Sequence, residues 1–414
     1  MQNVVIDKPY RFVPPRHGDF WPTLMRGYMP FYLRKYHGIE GYEFFGLDRL
    51  KASRAAGHGI MLAPNHCRPC DPMVLGLMTA TFSQPLYIMA SWHLFMQGRL
   101  LPWLLPRLGV FSVHREGLDR EALKCAVQIL VDARRPLVVF PEGAISRTSD
   151  RLNPLMDGTA FIARTAAKQR TEQSPPGKVV IHPVGIRYSF RGDVARALTP
   201  VLEDIERRLS WHPQSHRPLV ERIVKVGDAL LTLKELEYAE QPQAGTLAQR
   251  ISALMDQLLV PLEKEWLKGK REGNVTARVK ALRTAILPDM VSGDIAEDER
   301  ARRWRQLTDV CLAQQLFFYP PDYFSTPPTP EQLLETVERF EEDLTDKVRV
   351  HRPIHAAIEV GEAIEVSPVR ERGVESDPVM AKVRSAIEGM LTGLRGRPPA
   401  KPEPNGASGD GLGC

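Results

Sequence analysis

Between residues 41 and 270, short apolar runs alternate with stretches whose apolar residues recur at helical spacing. The runs are GIMLAP (59–64), LYIMA (86–90), GVFSV (109–113), PLVVFPEG (136–143), KVVIHPVGIRY (178–188) and ERIVKV (221–226). One clear intervening helix has its apolar residues on a single face, at Leu118, Ala122, Cys125, Ala126, Ile129 and Leu130. Strands that alternate with helices are joined by crossovers and pair in parallel. The pattern therefore predicts an α/β fold, with a mostly parallel sheet flanked by helices.

The predicted α/β domain, residues 41–270, lies between regions of different composition. Residues 1–40 are basic and aromatic, and they predict an N-terminal amphipathic segment. Residues 271–330 predict a helical connector that ends in a proline-rich break, and residues 331–395 predict an α/β extension, so the region after the domain should be mainly helical. The last residues, 396–414, are rich in Pro and Gly and predict a disordered tail.

Two stretches resemble each other: HRPLVERIVKVGDALLTLK (216–234) and HRPIHAAIEVGEAIEVSP (351–368). A helix is predicted after each of them. One interpretation is a strand-plus-helix unit used twice, the second copy covering a sheet edge or a partner surface. Chance similarity between two β-α units is the alternative, because two copies do not make a repeat array.

Two segments suit a lipid interface. Trp21 to Tyr36 combines aromatic rings with Arg and Lys, which settle at headgroup level and on anionic lipid; the alternative is a helix packed on the following domain. The strip 92–111 suits a membrane-facing flank, an acyl-chain groove, or an ordinary buried helix and strand. No run approaches the ~18–20 apolar residues of a spanning helix, and no secretory signal opens the chain. We therefore expect a cytoplasmic protein, peripheral to the inner face of a membrane.

The stretch LAPNHCRPCDP, Leu62 to Pro72, contains several residue types that carry chemistry. Cys67 and Cys70 have the spacing of a redox or metal site, but a structural zinc site needs four ligands, and His66 would supply only a third. Cys67 as a nucleophile is a further alternative, although side chains adjacent in sequence usually point apart. The third interpretation is a histidine base oriented by a carboxylate.

His66 follows an apolar strand, and Asp71-Pro72 is a good helix start, because Asp caps a helix and Pro fits its first turn. Across such a loop Asp71 can hold one imidazole nitrogen, while the other nitrogen takes a proton from a hydroxyl. A capping Asp beside a structural His is the alternative. The spacing alone predicts a base only weakly, so further motifs must support it.

Three further motifs follow in order. Asn65-His66-x4-Asp71, GVFSVHRE (109–116), FPEG (140–143) and IHPVGIRY (181–188) together resemble the four blocks of the glycerophospholipid acyltransferase family, which includes the 1-acylglycerol-3-phosphate acyltransferases. The resemblance covers about Gly41 to Gly227. It implies transfer of a fatty acyl group from acyl-CoA or acyl-carrier protein to the free hydroxyl of a lysophospholipid, with 1-acylglycerol-3-phosphate expected first. It also implies no metal, no cofactor and no acyl-enzyme.

The resemblance implies roles for particular residues. His66 would be the base and Asp71 the carboxylate that orients it. Substrate contacts are expected from Asn65, Arg68, Arg115, Glu142, Gly143, Arg147 and Pro183. The acceptor phosphate would lie near Arg115 and the Glu142-Gly143 turn, since phosphate suits a fixed guanidinium and a glycine turn exposes N–H groups to anions. Glu142 would position Arg115 or hydroxyl groups, and Pro183 would lie near the acyl chain.

The sequence departs from the family pattern at three places. Arg68 stands where serine is common, Ile145 stands where an arginine is usual, and no lysine precedes Gly158. Arg68 and Arg147 could compensate as additional phosphate ligands, or the changes could mark a different acceptor. Two other functions therefore stay open: a lipid-binding or scaffolding protein, and a hydrolase that cleaves acyl thioesters. The net charge of +5 is too small to indicate nucleic-acid binding, and no oligomeric state is predicted.

Overall fold

An eight-stranded sheet forms the centre of the computed structural model, which describes residues 5–82, 84–293, 295–320, 322–369, 377–395 and 397. Its strands are β1 (Ile39–Phe45), β2 (Gly59–Pro64), β3 (Tyr87–Ser91), β4 (Val110–Val113), β5 (Leu137–Val138), β6 (Val179–Phe190), β7 (Ile354–Val360) and β8 (Ile364–Glu365). The order across the sheet is β1-β7-β6-β2-β5-β3-β4, and β8 also pairs with β6. The described pairs are parallel except β6 with β7 and β6 with β8. The predicted α/β class with a mostly parallel sheet is confirmed.

Helices flank the sheet and form most of the C-terminal third. Those in the first half of the chain are α1 (Phe20–His37), α2 (Leu47–Ala55), α3 (Asp71–Phe82), α4 (Leu100–Arg107), α5 (Arg120–Asp132), α6 (Gly158–Thr171) and α7 (Val194–Arg208), with a 3-10 turn at Trp92–Met96. Those that follow are α8 (Leu219–Ala239), α9 (Leu247–Leu267), α10 (Val275–Ile286), α11 (Pro288–Ser292), α12 (Glu297–Phe317), α13 (Pro330–Thr345) and α14 (Pro378–Arg395). Among them, α5 confirms the predicted helix and its apolar face from Ala122 to Leu130, but Leu118 lies before the helix and is 72% exposed. The Asp119 side chain caps α5 by accepting the Ala122 N–H at 2.9 Å.

The sheet buries its central strands on both faces. All six residues of β2 are buried, as expected for a parallel strand covered by helices on each side. The carboxyl ends of β2, β3, β4 and β5 lie at one edge of the sheet because these strands run parallel. The loops that follow them carry the candidate motifs, so the topology gathers those motifs at one edge.

The strand predicted at 221–226 is wrong, because these residues lie within α8. Ile223 and Val226 are buried, whereas Val224 is 54% exposed, so the buried positions recur at helical rather than alternating spacing. Arg222 is buried too and forms a bidentate ion pair with Glu206 of α7. The similarity between 216–234 and 351–368 therefore joins a helix to a strand and is not a structural repeat.

Strand β7 lies inside the sheet, which corrects the expectation that the 351–368 segment covers a sheet edge. It pairs in parallel with β1 on one side and antiparallel with β6 on the other. Ile354, Ala356, Ile358 and Val360 are all buried. Residues near the C-terminus thus complete the core of the sheet. The predicted domain boundaries stay a prediction.

The N-terminal segment predicted to be amphipathic contains α1, which packs on α3 and β1. In the part of the chain that the structure describes, no helix is long and apolar enough to cross a membrane. The predicted disordered tail lies outside the described residues, apart from Arg397.

Candidate active site

His66 lies in the loop that joins β2 to α3, and Asp71 is the first residue of α3. The His66 Nδ1 is 2.8 Å from Asp71 Oδ2. Asp71 is completely buried, whereas the His66 side chain keeps 12% of its surface exposed. A carboxylate accepts hydrogen bonds only, so this geometry assigns the proton to Nδ1 and leaves the lone pair on Nε2. The arrangement is that of a base whose tautomer is held by an acid.

Asp71 is held by further donors besides the imidazole. Its Oδ2 also accepts the backbone N–H groups of Cys67 at 2.8 Å and Arg68 at 2.9 Å. Its Oδ1 accepts the hydroxyl of Tyr188 at 2.7 Å. Burial, together with the Asp71 charge, raises the pKa of Tyr188, so this hydroxyl stays protonated and donates. Sequence reasoning missed Tyr188, although it ends the IHPVGIRY block.

Glu142 holds the backbone of His66 and not Arg115, which corrects one part of the expectation; its expected role toward hydroxyl groups stays a prediction. Its Oε1 accepts the His66 N–H at 2.7 Å, and its Oε2 accepts the Asn153 N–H at 3.0 Å. Burial raises the pKa of Glu142 to about 7, although both backbone donors lower it. The FPEG motif thus connects the loop after β5 to the histidine after β2.

The turn around Gly143 also shapes the loop. Gly143 has φ +69°, a left-handed backbone conformation in which a residue with a Cβ would be strained, so the turn favours glycine. Its N–H donates to the Phe140 carbonyl at 3.2 Å, so this donor is already used and is not directed at a phosphate. Phe140 itself stacks on the His66 ring, with centroids 4.0 Å apart, and thereby limits the orientations of the ring.

Cys67 and Cys70 are buried beside the Asp71 carboxylate. Burial, followed by the Asp71 charge, raises the pKa of the Cys70 thiol to about 12 and also raises that of Cys67. A cysteine nucleophile needs a thiolate. The site disfavours a thiolate at either position, so the nucleophile interpretation loses its chemical basis.

Three residues expected to contact substrate are engaged by the protein. Asn65 is buried and uses both ends of its amide on the Ile186 backbone, at 2.9 and 2.7 Å. Arg68 pairs with Glu338 at 3.0 Å, and Arg147 pairs with Glu342. Asn65 therefore fastens the loop to β6, and the carboxylates of α13 occupy the two arginines that were expected to bind phosphate.

Arg115 lies two residues beyond β4 and, in the described part of the chain, makes no hydrogen bond or ion pair. Burial lowers the pKa of Arg115. The Glu116 charge raises this pKa, and repulsion from Arg283 of α10 lowers it further. β4 is three strand positions from β2, or ~14 Å at the usual strand spacing. The loops that carry Arg115 and His66 thus follow the carboxyl ends of parallel strands at the same edge of the sheet.

Pro183 lies within β6, paired in register with Ala63 of β2, and its carbonyl accepts the Gly361 N–H at 2.8 Å. It is buried in the sheet. Its expected place near an acyl chain stays a prediction.

Residues 43–187 match the family model described as Acyltransferase. The chain is also 33% identical, over 107 residues, to the 1-acyl-sn-glycerol-3-phosphate acyltransferase of Streptococcus pneumoniae (strain ATCC BAA-255 / R6). This stretch is 26% of the present chain and 37% of that protein, so the match spans little more than a third of the relative. The stretch matched by the family model includes His66, Asp71, Arg115 and Glu142, and it ends one residue before Tyr188.

Proposed function

We propose that the chain transfers a fatty acyl group from a thioester to the free hydroxyl of a lysophospholipid. The premise is that residues 43–187 form an acyltransferase domain of the glycerophospholipid acyltransferase family. The single observation that carries this proposal is the hydrogen bond between His66 Nδ1 and Asp71 Oδ2, which leaves Nε2 free to accept a proton. The donor would be acyl-CoA or acyl-carrier protein, and the first acceptor to test is 1-acylglycerol-3-phosphate.

The reaction follows from this arrangement without an acyl-enzyme. His66 Nε2 takes the proton of the acceptor hydroxyl as the oxygen attacks the thioester carbonyl. The tetrahedral intermediate then collapses, the C–S bond breaks, and the leaving thiolate takes the proton from the imidazolium. The Asp71 carboxylate stabilises that imidazolium, as in acyl transfer by hydroxyl nucleophiles in general. The ester forms, the free thiol leaves, and His66 returns to its starting state.

Arg115 is the residue that we assign to the acceptor phosphate. A half-buried guanidinium without an acceptor suits an anionic ligand, since buried charges are normally paired. Arg68 and Arg147 already have carboxylate partners, so we no longer expect them to bind phosphate. The acceptor would therefore span the sheet edge, with its phosphate near Arg115 and its hydroxyl at His66.

We further propose that the enzyme acts while lying on an anionic membrane at the cytoplasmic face. The outer face of α1 exposes Phe20, Leu24, Tyr28 and Phe31, and α4 continues this surface through Trp103, which contacts Trp21. Neither helix contains an acidic residue. Exposed aromatic and aliphatic side chains on helices that contain no acidic residue are suited to a surface of anionic headgroups.

The deciding experiment measures acyl transfer by purified protein in lipid vesicles. Labelled acyl-CoA and acyl-carrier protein are offered with a panel of lysolipids, and His66→Ala is compared with His212→Ala, which changes an exposed histidine outside the site. A labelled diacyl lipid made by wild type and His212→Ala, and lost in His66→Ala, supports the proposal and identifies the acceptor. Free fatty acid as the sole product would instead indicate a hydrolase, and no consumption of either donor would favour a lipid-binding protein.

Membrane docking has its own test. Leu24→Ser and Phe31→Ser are expected to reduce sedimentation with phosphatidylglycerol vesicles, and Leu236→Ser is the control because Leu236 is a similarly exposed leucine on α8. Equal binding by all three variants would contradict the assignment of this surface.

A further inference from the structure

One face of α13 contacts the loop that supports His66, although α13 lies far outside the acyltransferase domain at 43–187. Glu335, Glu338, Arg339 and Glu342 recur at helical spacing and therefore share this face. Glu338 pairs with Arg68, and Glu342 pairs with Arg147. The two arginines that the sequence offered as additional phosphate ligands, Arg68 and Arg147, are thus partners of α13.

The same face binds the backbone of the loop. Arg339 Nη2 donates to the Ser146 carbonyl at 2.6 Å. The carboxylate of Glu335 accepts the Ser149 N–H at 3.1 and 3.2 Å and also the Ser149 hydroxyl. The Ser146 N–H then donates to the His66 carbonyl at 2.7 Å. A single loop residue, Ser146, therefore connects Arg339 to the histidine.

The packing of α13 decides between a fixed support and a movable lid. Leu333, Leu334, Val337 and Phe340 are buried in the main core, where α13 packs on α7, α8 and β6. Lifting α13 would expose these side chains at a cost of roughly 1.5–3 kcal/mol for each large one. That total is too large for a lid that opens in each catalytic cycle. α13 is a fixed wall of the site.

Arg339 is the unusual member of this face. It is buried, and among the described residues it makes no ion pair; its guanidinium lies over the Tyr319 ring at 4.5 Å and donates to Ser146. Burial lowers the pKa of Arg339 although the Asp343 charge opposes this, so the cation is costly to bury. Stabilisation of the fold alone is therefore a poor explanation for Arg339. Its role as a fixed hydrogen-bond donor to the Ser146 carbonyl is a better one.

We propose that Arg339 is a positioning residue for the acyl-transfer reaction, acting on His66 through Ser146, and that Arg68 and Arg147 dock α13 rather than bind phosphate. The inference rests on the proposed function. His66 is then held at three points: its N–H by Glu142, its carbonyl by Ser146, and its ring by Asp71. The C-terminal part of the chain thereby contributes to a site whose recognised motifs all lie in the domain.

The test compares Arg339→Met and Arg339→Lys with Arg349→Met. Arg349 is the matched control because it also pairs around α13, with Glu341 and Asp204, but away from the loop. Three quantities are measured for each variant: kcat and KM in lipid vesicles, Tm, and the ring 15N–1H spectrum of His66, assigned with His66→Ala. The spectrum reports the imidazole tautomer and does not depend on activity.

We expect Arg339→Met to lower kcat by about 10²-fold with little change in either KM, because a misplacement near 1 Å has effects of that size. The His66 spectrum should change from the Nδ1–H tautomer to a mixture, Arg339→Lys should recover part of both, and Arg349→Met should alter neither. A lower Tm with unchanged kcat and an unchanged tautomer would overturn the proposal.

Two outcomes, an inactive wild type and an unfolded Arg339→Met variant, each have a separate test. If wild type transfers no acyl group, the proposed function fails, and the tautomer comparison still supports or overturns the positioning role. If Arg339→Met does not fold, Glu342→Gln replaces it: loss of the Arg147 partner should change the His66 spectrum in the same direction, and an unchanged spectrum would contradict the proposal.

Discussion

Replacing Asp71 by Asn tests the central geometry with little change in shape. The Asp71 Oδ2 accepts three N–H groups, from His66, Cys67 and Arg68, while Oδ1 accepts the Tyr188 hydroxyl. Asn can turn its carbonyl oxygen toward the three N–H groups and its amino group toward the Tyr188 oxygen. The loop should therefore keep its conformation, and the change removes a charge rather than a contact.

The size of the effect follows from that charge. During the reaction His66 becomes an imidazolium whose centre is roughly 4 Å from the carboxylate, which at an effective dielectric constant of ~20 is worth about 4 kcal/mol. Loss of that energy corresponds to about 10³-fold in rate. The three N–H hydrogen bonds also become neutral, so the free energy of unfolding should fall by about 2–4 kcal/mol.

The assay measures kcat with labelled donor in vesicles and the free energy of unfolding by urea denaturation. Asp377→Asn is the control, because Asp377 is also a buried carboxylate and accepts two hydrogen bonds from Arg164 and one from the Val379 N–H. We expect this control to lose stability and to keep kcat within about threefold. A folded Asp71→Asn enzyme whose kcat falls by less than about tenfold would refute the assignment of Asp71 as the charge that stabilises the base.

Three further predictions concern the groups around this pair. Tyr188→Phe removes one donor to the buried Asp71 carboxylate and should lower the free energy of unfolding by about 1–3 kcal/mol, measured with urea; no change would mean that water replaces the hydroxyl. Glu142 has a pKa of about 7 when folded against an ordinary 4.5, so between these values only the folded state keeps the proton. Wild type should therefore lose roughly 3 kcal/mol of stability relative to Glu142→Gln as pH rises through that window, which denaturation across pH tests; parallel curves would contradict it. Arg68→Met should leave the acceptor KM within about threefold, because Arg68 is bound to Glu338; a much larger KM would restore Arg68 as a phosphate ligand.

The strands of the sheet were predictable wherever an apolar run was short and ended at a turn. β2, β3, β4 and β6 match their predicted runs closely because each is enclosed by such breaks. The 221–226 run failed because its β-branched residues favour a strand locally, while packing of Ile223 and Val226 into the core selects a helix. The position of β7 was not predictable, since nothing local specifies that it pairs with β1, some 300 residues earlier in the chain.

The contacts of the candidate site are likewise of two kinds: those between residues close in sequence, which were predictable, and those between distant residues, which were not. His66 and Asp71 are five residues apart, and a strand-to-helix loop brings them together, so the sequence alone could suggest the pair. The partners that orient them are distant in sequence: Glu142 is 76 residues from His66, and Tyr188 is 117 residues from Asp71. Such contacts depend on the order of strands in the sheet. The family resemblance located Glu142, which lies within the family match, but not its contact with the His66 backbone, and it did not single out Tyr188.

The two arginines that the sequence offered as additional phosphate ligands, Arg68 and Arg147, have one physical explanation. A cation at Arg68 or Arg147 with no partner would have been a natural phosphate ligand, yet each faces a carboxylate on the same face of α13. The Arg68 and Glu338 side chains are largely removed from solvent, so loss of either one would leave the other charge without its partner. Arg68 and Arg147 therefore bind the C-terminal helix, whereas the Arg115 guanidinium forms no ion pair with a described carboxylate and stays the proposed ligand of the acceptor phosphate.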